Sequence, residues 1–447
     1  MRVHGEAEPA ALARVPVALE DLILDIEGLD AEGRGVARQP DGKVVFVEGA
    51  LPGERAAVRI MTGGKRFDLG RAERLLTESP GRRTPRCPHF GTCGGCATQH
   101  ADLGTQMAAK EDGLLQNLKR IGQVEPERVL PMITGDEWGY RHRARLSVRN
   151  VQRKGVMVGF RERRSTYVAD MHECPVLPER ISQLIDPLRT LVGTLSVHSR
   201  LPQVEVAVGD NAAALVLRHL EPLTDDDHSR LREFARRHGV HLWLQPGGPE
   251  SARPFEPAES ALYYELPDFG VRIHFRPTEF TQVNHAANRL LVSRAIELLD
   301  PRPGERIADL FCGLGNFSLP IARRGAQVIG FEGSEELVGR ARENAAANGL
   351  VAQFEVMDLF APNLAPYGRF DKILIDPPRQ GAIEIVKSPL GAARIVYVSC
   401  DTATLARDAG VLVHTQNYRL VAAGVVNMFP HTAHVESITL FEKGGST

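Results

Sequence analysis

The feature that most constrains the fold is a regular alternation of short apolar runs with helix-like runs in the last third of the chain. Strands that alternate with helices in this way form βαβ units and a mainly parallel, doubly wound sheet. The pattern therefore predicts an α/β domain with a Rossmann-like sheet, which binds ligands at the carboxyl ends of its strands. The alternating segments are, in order, residues 306–311, 318–324, 327–331, 335–348, 352–356, 372–375, 395–398 and 402–413.

The rest of the chain differs from this pattern, and 447 residues leave room for two or three domains. Residues 1–79 alternate short apolar stretches with turns, and Asp41-Gly42 is a hairpin signal, so we predict a small, OB-like β-barrel. Its basic glycine loops fit either an oligonucleotide-binding site or an ordinary flexible surface. We assign residues 80–277 to a central α+β domain and residues 278–447 to the Rossmann-like domain.

Composition limits the functions that are open to this chain. The net charge is −2, so any nucleic-acid site must be a local patch. No apolar run is long enough to span a bilayer, and Glu6, Glu8 and Glu20 stand where a secretory leader would be basic and then apolar. We therefore expect a cytoplasmic protein that does not contact a membrane. Six cysteines are too few for a disulfide scaffold in a chain of this length.

The densest positive charge lies in residues 141–164, whose lysines and arginines are opposed there by one acid, Glu162. We call these cations the basic stripe. Tyr140, Phe160 and Tyr167 are interleaved with it. Arginines neutralise phosphates and aromatic rings stack on unpaired bases, so the stripe favours nucleic-acid binding over the alternative, a solvated sheet face. Its members are residues 141, 143, 145, 149, 153, 154, 161, 163 and 164.

A nucleotide pocket is predicted where the strand 307–311 runs into a glycine turn at 312–316. The turn is similar to a dinucleotide-binding fingerprint but lacks the third glycine. Glu332 ends the next strand and can accept both ribose hydroxyls, and Asp358 ends the third strand, where it can meet an adenine edge. These features alone fit either a NAD enzyme or a methyltransferase. Cys312 in the turn is expected to be a packing residue.

Two further strand ends favour methylation of a nucleotide base. The fourth strand ends in Asp376-Pro-Pro-Arg379, whose prolines stiffen the backbone. This feature is typical of base methyltransferases and has no use in a NAD dehydrogenase. Cys400 ends the fifth strand, directly before a helix that begins near Thr402. Because a helix N-terminus stabilises a thiolate, we predict a lowered pKa for Cys400 rather than an inert buried thiol.

A thiolate has a specific use in methyl transfer to uracil. Uracil C5 is a poor nucleophile, and addition of the Cys400 thiolate to C6 gives C5 the carbanion character it needs to attack a sulfonium methyl group. The C5 proton must then leave, which requires a general base. Glu436 is the predicted base. His431 and His434 are alternatives or supports, although a hydrogen-bonded structural role is the simpler assignment for either histidine.

Taken together, these motifs resemble the RNA 5-methyluridine methyltransferase family. They follow that family's order and spacing over residues 278–447. The N-terminal region is similar to a TRAM domain, and the barrel combined with a cysteine cluster resembles the family members that act on 23S ribosomal RNA. The matching motifs are Phe280-Thr-Gln282-Val-Asn284, Asp309-Leu-Phe-Cys-Gly-Leu-Gly-Asn316, Asp376-Pro-Pro-Arg-Gln-Gly381, Ser399-Cys-Asp401 with Thr404-Leu-Ala-Arg-Asp408, and Phe429-Pro-His-Thr-Ala-His-Val-Glu436.

The resemblance implies an S-adenosylmethionine-dependent RNA (uracil-C5) methyltransferase with Cys400 as nucleophile and Glu436 as proton acceptor. It also implies that a helix at about 101–121 packs on the catalytic domain. Asn427 departs from the family, which carries aspartate there. The residues implied to line the cofactor and base pocket are Gln282, Phe311, Asn316, Glu332, Asp358 and Asp376.

A cysteine cluster opens the central region, with Cys87, Cys93 and Cys96 close together and Cys174 far downstream. Four thiolates hold either tetrahedral zinc or a [4Fe–4S] cluster. A single Cys-x2-Cys pair favours iron–sulfur over zinc, which usually takes two such pairs. The family resemblance also implies [4Fe–4S]. Since uracil methylation moves no electrons, we expect the cluster to be structural or to position RNA.

Three functions stay open on the residues alone: an RNA methyltransferase, an oxidoreductase and an RNA-binding assembly factor. A NAD-dependent iron–sulfur oxidoreductase would use the glycine turn and Glu332 but leaves Cys400 and Glu436 without a role. A non-catalytic RNA-binding assembly factor would use the barrel and the basic stripe. Within the methyltransferase hypothesis, transfer RNA is the alternative to 23S ribosomal RNA as substrate. We expect a monomer with no obligate protein partner.

Overall fold

The computed structural model describes residues 21–30 and 32–445. The chain divides into two compact units, of which the smaller ends at Pro80 and the larger begins at Gly81. The first twenty residues, which carry the acids behind the expectation of no leader peptide, lie outside the described residues. No helix in the described ranges has the length and apolar character needed to cross a membrane.

The smaller unit is a closed five-stranded barrel with the order β1-β2-β3-β5-β4, so the predicted barrel is confirmed. Alternate residues such as Leu24, Ile26, Val45 and Val47 point into its core, as the twofold repeat of a strand requires. Gly42, in the predicted β2–β3 hairpin, has a φ of +86°. The strands are β1 Leu22–Leu29, β2 Gly35–Arg38, β3 Val44–Glu48, β4 Arg55–Gly63 and β5 Phe67–Thr77.

The larger unit begins with a helical segment and a six-stranded sheet of order β12-β11-β10-β9-β7-β8. The inner face of this sheet is apolar, and α3 and α4 cover it. A separate two-stranded ladder, β13-β14, follows. The elements are α1 Leu103–Asn117, a π-helical turn Leu118–Gly122, β6 Arg128–Val129, β7 Arg143–Val151, β8 Gly155–Gly159, α2 Glu179–Ser182, α3 Ile185–Thr194, β9 Gln203–Val208, β10 Ala213–Arg218, α4 Asp225–His238, β11 His241–Gln245, β12 Arg253–Glu256, β13 Leu262–Leu266 and β14 Val271–Phe275.

An eight-stranded sheet of order β17-β16-β15-β18-β19-β21-β20-β6 completes this unit. Strands β15 to β19 are parallel, whereas β21 runs antiparallel to β19 and to β20. The predicted doubly wound α/β architecture is therefore confirmed. The elements are α5 His285–Leu299, β15 Arg306–Leu310, α6 Ser318–Arg323, β16 Gln327–Glu332, α7 Glu335–Ala347, β17 Gln353–Val356, β18 Lys372–Ile375, α8 Ile383–Lys387, β19 Arg394–Ser399, α9 Thr402–His414, β20 Tyr418–Val426 and β21 Glu436–Lys443.

Helix α1 lies far from α9 in sequence but shares a core with it. Met107, Leu114 and Leu118 are buried in the same apolar cluster as Leu405 and Ala409. The two residues of β6 also extend the eight-stranded sheet at β20. The segment that follows the first three cysteines thus supplies part of the layer behind the parallel strands.

Candidate active site

The candidate active site is the crevice at the carboxyl ends of the parallel strands, at the switch in chain order between β15 and β18. Strand β18 leads into Asp376, and β19 leads into Cys400. Glu436 begins β21, whose Ser437 lies opposite Ser399 of β19. Cys400 directly follows Ser399 and Glu436 directly precedes Ser437, so the two residues lie at adjacent ends of neighbouring strands, whose backbones are about 4.8 Å apart. The charge of Glu436 acts on the Cys400 thiol.

The acids of this crevice are poorly compensated. Glu436 is 3% exposed, and Asp376 is half-buried at the pocket. Burial raises the pKa of Asp376 to about 7. Burial, followed by the charge of Asp376, raises the pKa of Glu436 well above its usual value. Within the described residues, no cation or hydrogen-bond donor offsets these effects, so the crevice suits a positively charged ligand.

Asp309, near the end of β15, belongs to this group of acids, although the sequence analysis gave it no role. It is fully buried. Its Oδ2 accepts a hydrogen bond from the Ser318 hydroxyl, while Oδ1 has no partner among the described residues. Burial, with the charges of Asp376 and Glu332, raises the pKa of Asp309 to about 7. The sequence signal that could have identified Asp309 is an acid inside an apolar strand that runs into a glycine turn.

The prediction of a lowered pKa for Cys400 is wrong for the protein on its own. Burial, together with the charges of Glu436 and Asp376, raises the thiol pKa to about 11, and Arg379 opposes the shift only in part. Asp401 caps α9, and its carboxylate accepts hydrogen bonds from the Ala403 and Thr404 N–H groups. The thiol is therefore protonated at neutral pH until positive charge enters the crevice.

Two of the predicted cofactor residues shape the glycine turn and its surroundings. Glu332 accepts hydrogen bonds from the backbone N–H groups of Gly313 and Ser334, each at 3.2 Å. This contact ties the turn to the acid predicted to bind ribose. Phe311 has a φ of +65°, a conformation that a non-glycine residue adopts only under constraint. Its ring centre lies 5.9 Å from that of Phe360, which is exposed.

The other predicted cofactor residues differ in how far the protein already engages them. Asn316 Oδ1 accepts hydrogen bonds from the Tyr264 hydroxyl and the Asn288 amide, both at 3.0 Å. Asp358 is exposed, and its carboxylate accepts a backbone N–H two residues further on. Gln282 is half-buried on the loop before α5. Asn316 is thus fixed in a network, whereas Asp358 keeps one carboxylate oxygen for a ligand.

A buried acid on α9 holds the proline loop that follows Asp376. Asp408 accepts hydrogen bonds from the Tyr397 hydroxyl and the Ala382 N–H, both at 2.7 Å. Gly381 has a φ of +76°, and a β-carbon there would lie 2.7 Å from the Asp408 carboxylate, so glycine is required. The network fixes the loop against β19, whose end carries the nucleophile.

The loop between β20 and β21 is held by residues from the beginning of the larger unit. The Lys110 ammonium donates hydrogen bonds to Asn427 Oδ1 and to the Phe429 carbonyl, both at 3.0 Å. The Tyr140 hydroxyl donates to the Pro430 carbonyl at 2.9 Å. These contacts bring α1 and the central region to the wall of the crevice beside the predicted base.

The two histidines of this loop have different surroundings. His431 stacks on Trp138 with ring centres 4.0 Å apart and contacts the Gln106 amide at 3.2 Å. Burial lowers the pKa of His431 to about 4, which fits a neutral structural residue. His434 lies 3.2 Å from the Arg379 guanidinium. Burial and then the charge of Arg379 lower its pKa as well.

The four cysteines predicted as metal ligands lie in one neighbourhood. Cys87, Cys93 and Cys174 are buried and Cys96 is half-buried, and all four thiols are free. Burial raises the pKa of Cys174 to about 12, with the charges of Cys96 and Cys87 adding to it. Burial, with the charges of Cys93 and Cys87, raises the pKa of Cys96 to about 11. As they stand, no three or more His, Cys, Asp or Glu side chains of the described residues form a metal-binding group.

This donor set still fits a soft metal centre. Mutually repelling thiols in a buried neighbourhood are unfavourable as anions, and a bound cation would relieve that repulsion. Thiolates prefer zinc, copper(I) or iron–sulfur centres over hard cations.

Protein partners already engage much of the basic stripe. Arg143 donates a hydrogen bond to the Glu279 carbonyl, and Arg145 forms a 3.0 Å ion pair with Glu205. Arg163 donates to a backbone carbonyl of the cysteine cluster. The stripe therefore offers fewer cations to phosphate than its sequence suggests.

The aromatic residues interleaved with the stripe are also separated by the fold. Tyr140 and Phe160 are buried, whereas Tyr167 is 73% exposed. Phe280, beside Gln282, is a further exposed ring at 66%. Only an exposed ring can stack on a base, so Tyr140 and Phe160 are packing residues.

The strand order and the acidic crevice define the class of protein as a methyltransferase with a Rossmann-like fold, and comparison with known families agrees. Residues 307–379 match the family model described as methyltransferase domain. Residues 353–444 match the model for tRNA (Uracil-5-)-methyltransferase, and residues 22–69 match the TRAM domain.

Curated relatives narrow this class. The chain is 60% identical to the 23S rRNA (uracil(1939)-C(5))-methyltransferase RlmD of Thiobacillus denitrificans over 94% of this chain and 99% of that one. It is 57% identical to the RlmD of Nitrosospira multiformis, over 94% and 98% of the two chains. The chain therefore belongs to the RlmD family, as the motifs predicted.

A solved structure supports the fold. The chain is similar to the tRNA (uracil-54, C5)-methyltransferase of Pyrococcus abyssi in complex with S-adenosyl-L-homocysteine. The TM-score is 0.72 at 24% sequence identity, and the match covers 94% of this chain and all of the other.

Proposed function

We propose that the protein transfers a methyl group from S-adenosylmethionine to C5 of a uridine in 23S ribosomal RNA. The observation that carries the proposal is the position of Cys400 and Glu436 at adjacent ends of β19 and β21, where the charges of Glu436 and Asp376 act on the Cys400 thiol. The choice of 23S ribosomal RNA comes from what the RlmD relatives are named to act on. Transfer RNA is the alternative substrate.

The two side chains divide the chemistry between them. The Cys400 thiolate adds to uracil C6, which forms a C–S bond and places carbanion character on C5. After C5 has gained the methyl group, the Glu436 carboxylate removes the C5 proton, the C5–C6 double bond re-forms and the C–S bond breaks. The thiolate is thereby returned, so Cys400 is a nucleophile that is not consumed.

The crevice fits the charge of the cofactor. S-adenosylmethionine supplies the methyl group from a positively charged sulfonium. The raised pKa values of Asp376 and Asp309 mark uncompensated negative charge, and the orphan Oδ1 of Asp309 is a buried acceptor that awaits a donor. Positive charge in the crevice also lowers the cost of forming the Cys400 thiolate. The residues proposed to hold the cofactor are Gln282, Phe311, Asn316, Glu332, Asp358 and Asp376.

We also propose a [4Fe–4S] cluster on Cys87, Cys93, Cys96 and Cys174, which would supply a structural crosslink and no electrons to the reaction. Purification without oxygen followed by iron and sulfide analysis tests it. We expect about four of each per chain from the cluster stoichiometry, and a loss of both in Cys174→Ser. Zinc without sulfide would contradict the assignment.

Residues 1–79 would bind RNA as a TRAM-like barrel, residues 80–277 would form the cluster-bearing central domain, and residues 278–447 would form the catalytic domain. The shared core of α1 and α9 supports assigning the helix at 101–121 to the catalytic layer. We propose that the protein acts as a monomer in the cytoplasm, where its RNA substrate is assembled.

The covalent step is tested by mass spectrometry of Glu436→Gln protein mixed with S-adenosylmethionine and either unmodified 23S ribosomal RNA or transfer RNA. We expect a protein–RNA adduct with 23S ribosomal RNA that disappears in the double variant with Cys400→Ala. An adduct with transfer RNA alone would change the substrate. Absence of any adduct, while the cofactor still binds, would contradict the covalent mechanism and favour a non-catalytic RNA-binding role.

A further inference from the structure

A short hairpin, residues 161–168, projects from the end of β8. A β-bridge between Arg161 and Val168 closes it, and the Glu162 N–H donates to the Tyr167 carbonyl at 3.0 Å. Tyr167 is 73% exposed, the second most exposed large hydrophobic side chain of the described residues. The Arg161 side chain is also exposed, and it makes no ion pair or hydrogen bond within the ranges that the structure describes.

The loop of the cysteine cluster holds this hairpin in place. The Gly94 N–H donates to the Arg161 carbonyl at 2.8 Å, and the Arg163 N–H donates to the Thr92 carbonyl at 2.9 Å. The Arg163 guanidinium adds a hydrogen bond to the Cys96 carbonyl at 2.9 Å. Backbone pairing with the cysteine loop along one edge, together with the pairing inside the hairpin, makes the hairpin a fixed platform rather than a free loop.

The same loop reaches the active-site wall. The N–H groups of Ala97 and Thr98 both donate to the His431 carbonyl, at 2.8 and 3.0 Å. His431 lies on the loop that leads to Glu436. A continuous backbone path of a few residues therefore joins the hairpin to the wall of the crevice.

We propose that Tyr167 is a stacking platform for an unpaired base of the RNA that flanks the methylated uridine, and that Arg161, on the same hairpin, contacts a phosphate of that RNA. This inference rests on the proposed function. An exposed tyrosine ring offers a face to any base, and an arginine without a protein partner can neutralise a neighbouring phosphate. Fixing the ring beforehand reduces the ordering cost of binding.

The other end of the basic stripe provides a matched control. Arg153 lies in the turn between β7 and β8 and is exposed without a partner among the described residues. The five residues of β8 separate that turn from the hairpin, which is about 17 Å at the rise of a β-strand. No aromatic side chain lies in that turn, which Val151, Gln152 and Lys154 share with Arg153.

The test is a binding titration of full-length protein with an unmodified 23S ribosomal RNA transcript, with methylation measured on the same samples. Tyr167→Ala is expected to raise the dissociation constant by roughly 5- to 100-fold, which is the range for loss of one stacked base. Tyr167→Phe keeps the ring and should stay within about twofold of wild type. Arg161→Ala should reduce the slope of log affinity against log salt by about one phosphate contact, whereas Arg153→Ala should weaken binding by less than Tyr167→Ala.

The outcomes separate this inference from the proposed function. Equal affinities for wild type, Tyr167→Ala and Tyr167→Phe would overturn the platform, even if the transcript is methylated normally. If wild type binds the transcript but does not methylate it, the proposed function fails and the affinities still decide the platform. A weakening by Arg153→Ala as large as that by Tyr167→Ala would also overturn it, since both ends would then act as a diffuse cationic surface.

Discussion

The acidic crevice and the basic stripe are both dense in charge, but the fold treats them in opposite ways. In the stripe, Arg145 finds Glu205 and Arg143 finds a backbone carbonyl. In the crevice, burial raises the pKa of Asp376 and Glu436, and no cation in the described part of the chain offsets it. Protein partners compensate much of the charge of the stripe, whereas the charge of the crevice acids needs a ligand to compensate it.

The difference teaches that charge density in a sequence is a weaker sign of function than charge the fold leaves uncompensated. Exposed ion pairs are worth little because water screens them. A buried acid without a partner costs stability, and proteins retain such groups chiefly where a reaction or a ligand uses them.

The largest effect is expected at the nucleophile. Cys400→Ala should reduce methylation by on the order of 10⁴-fold or more, because removing a covalent nucleophile leaves only binding and orientation. Arg145→Ala removes an exposed ion pair and should change the rate by less than about twofold. Transfer of labelled methyl groups to 23S ribosomal RNA measures both.

Equal losses of methylation rate in Cys400→Ala and Arg145→Ala would contradict the proposed difference between the crevice and the stripe. Binding of S-adenosylmethionine, measured by calorimetry, is the control for Cys400→Ala. Because the thiol is removed without altering the acids, that affinity should remain close to wild type.

Asp408 is the buried acid that the protein does compensate, so removing it should cost stability rather than catalysis alone. Asp408→Ala leaves the Tyr397 hydroxyl and the Ala382 N–H without an acceptor. We expect a loss of about 3–5 kcal/mol in the free energy of unfolding, as for other broken buried networks. Urea unfolding measures this loss, and Tyr397→Phe, which removes one donor, should cost about 1–2 kcal/mol.

Asp376 and Asp309 make cofactor affinity depend on pH. Their pKa values are raised to about 7, so each becomes anionic as the pH rises through 7. We expect the affinity for S-adenosylmethionine to rise between pH 6 and 8 by roughly tenfold, the equivalent of about one unit of pKa shift. S-adenosyl-L-homocysteine, whose sulfur is neutral, should show a smaller rise, and Asp376→Asn should flatten both curves in a calorimetric titration.

The same shifts give the ligand-free protein the opposite dependence. An acid with a raised folded pKa binds more protons in the folded than in the unfolded state between the normal value of 3.8 and about 7. The contribution of Asp376 to stability is therefore present below pH 3.8 and is lost as the pH rises through 7. A variant Asp376→Asn that kept the wild-type slope in this window would contradict the assignment.

Much of the catalytic fold could be predicted because its signals are local. An apolar run that ends in Asp376 or Cys400 predicts both a strand and the position of that residue at the strand's carboxyl end. The predicted strand at 372–375 and helix start at Thr402 match the structure. Chain order alone then places these residues in one crevice.

The remaining features depend on contacts between distant segments. Strands β20 and β21 were not predicted, and the antiparallel pairing of β21 with β19 brings Glu436 to the end of β19, beside Cys400. The sign of the Cys400 pKa shift was also missed, because it depends on burial of the thiol and then on the carboxyls of other strands. The division of the basic stripe required knowledge of which arginines meet a partner across the sheet.

Lys110 is a buried cation that has no counter-charge among the described residues. Its ammonium meets Asn427 Oδ1 and a carbonyl, and burial lowers its pKa from 10.5 to about 8. The unfolded state thus binds more protons between pH 8 and 10.5, and Lys110 makes wild-type stability rise with pH across that window. Asn427→Asp supplies the missing charge and removes the unpartnered Asn427 Nδ2.

We expect Asn427→Asp to increase the free energy of unfolding at pH 7 by about 1–2 kcal/mol, the range for a hydrogen bond to a charged group. The difference between variant and wild type should shrink from pH 8 to 10.5, because the wild-type lysine loses its charge there. Urea unfolding at several pH values measures both, and Asn427→Ala, which removes the acceptor, should be destabilising. If Asn427→Asp were less stable than wild type at pH 7, desolvation of the new carboxylate would outweigh its pairing with Lys110. The protein would then be more stable with the Lys110 charge uncompensated, as the charges of the crevice acids are.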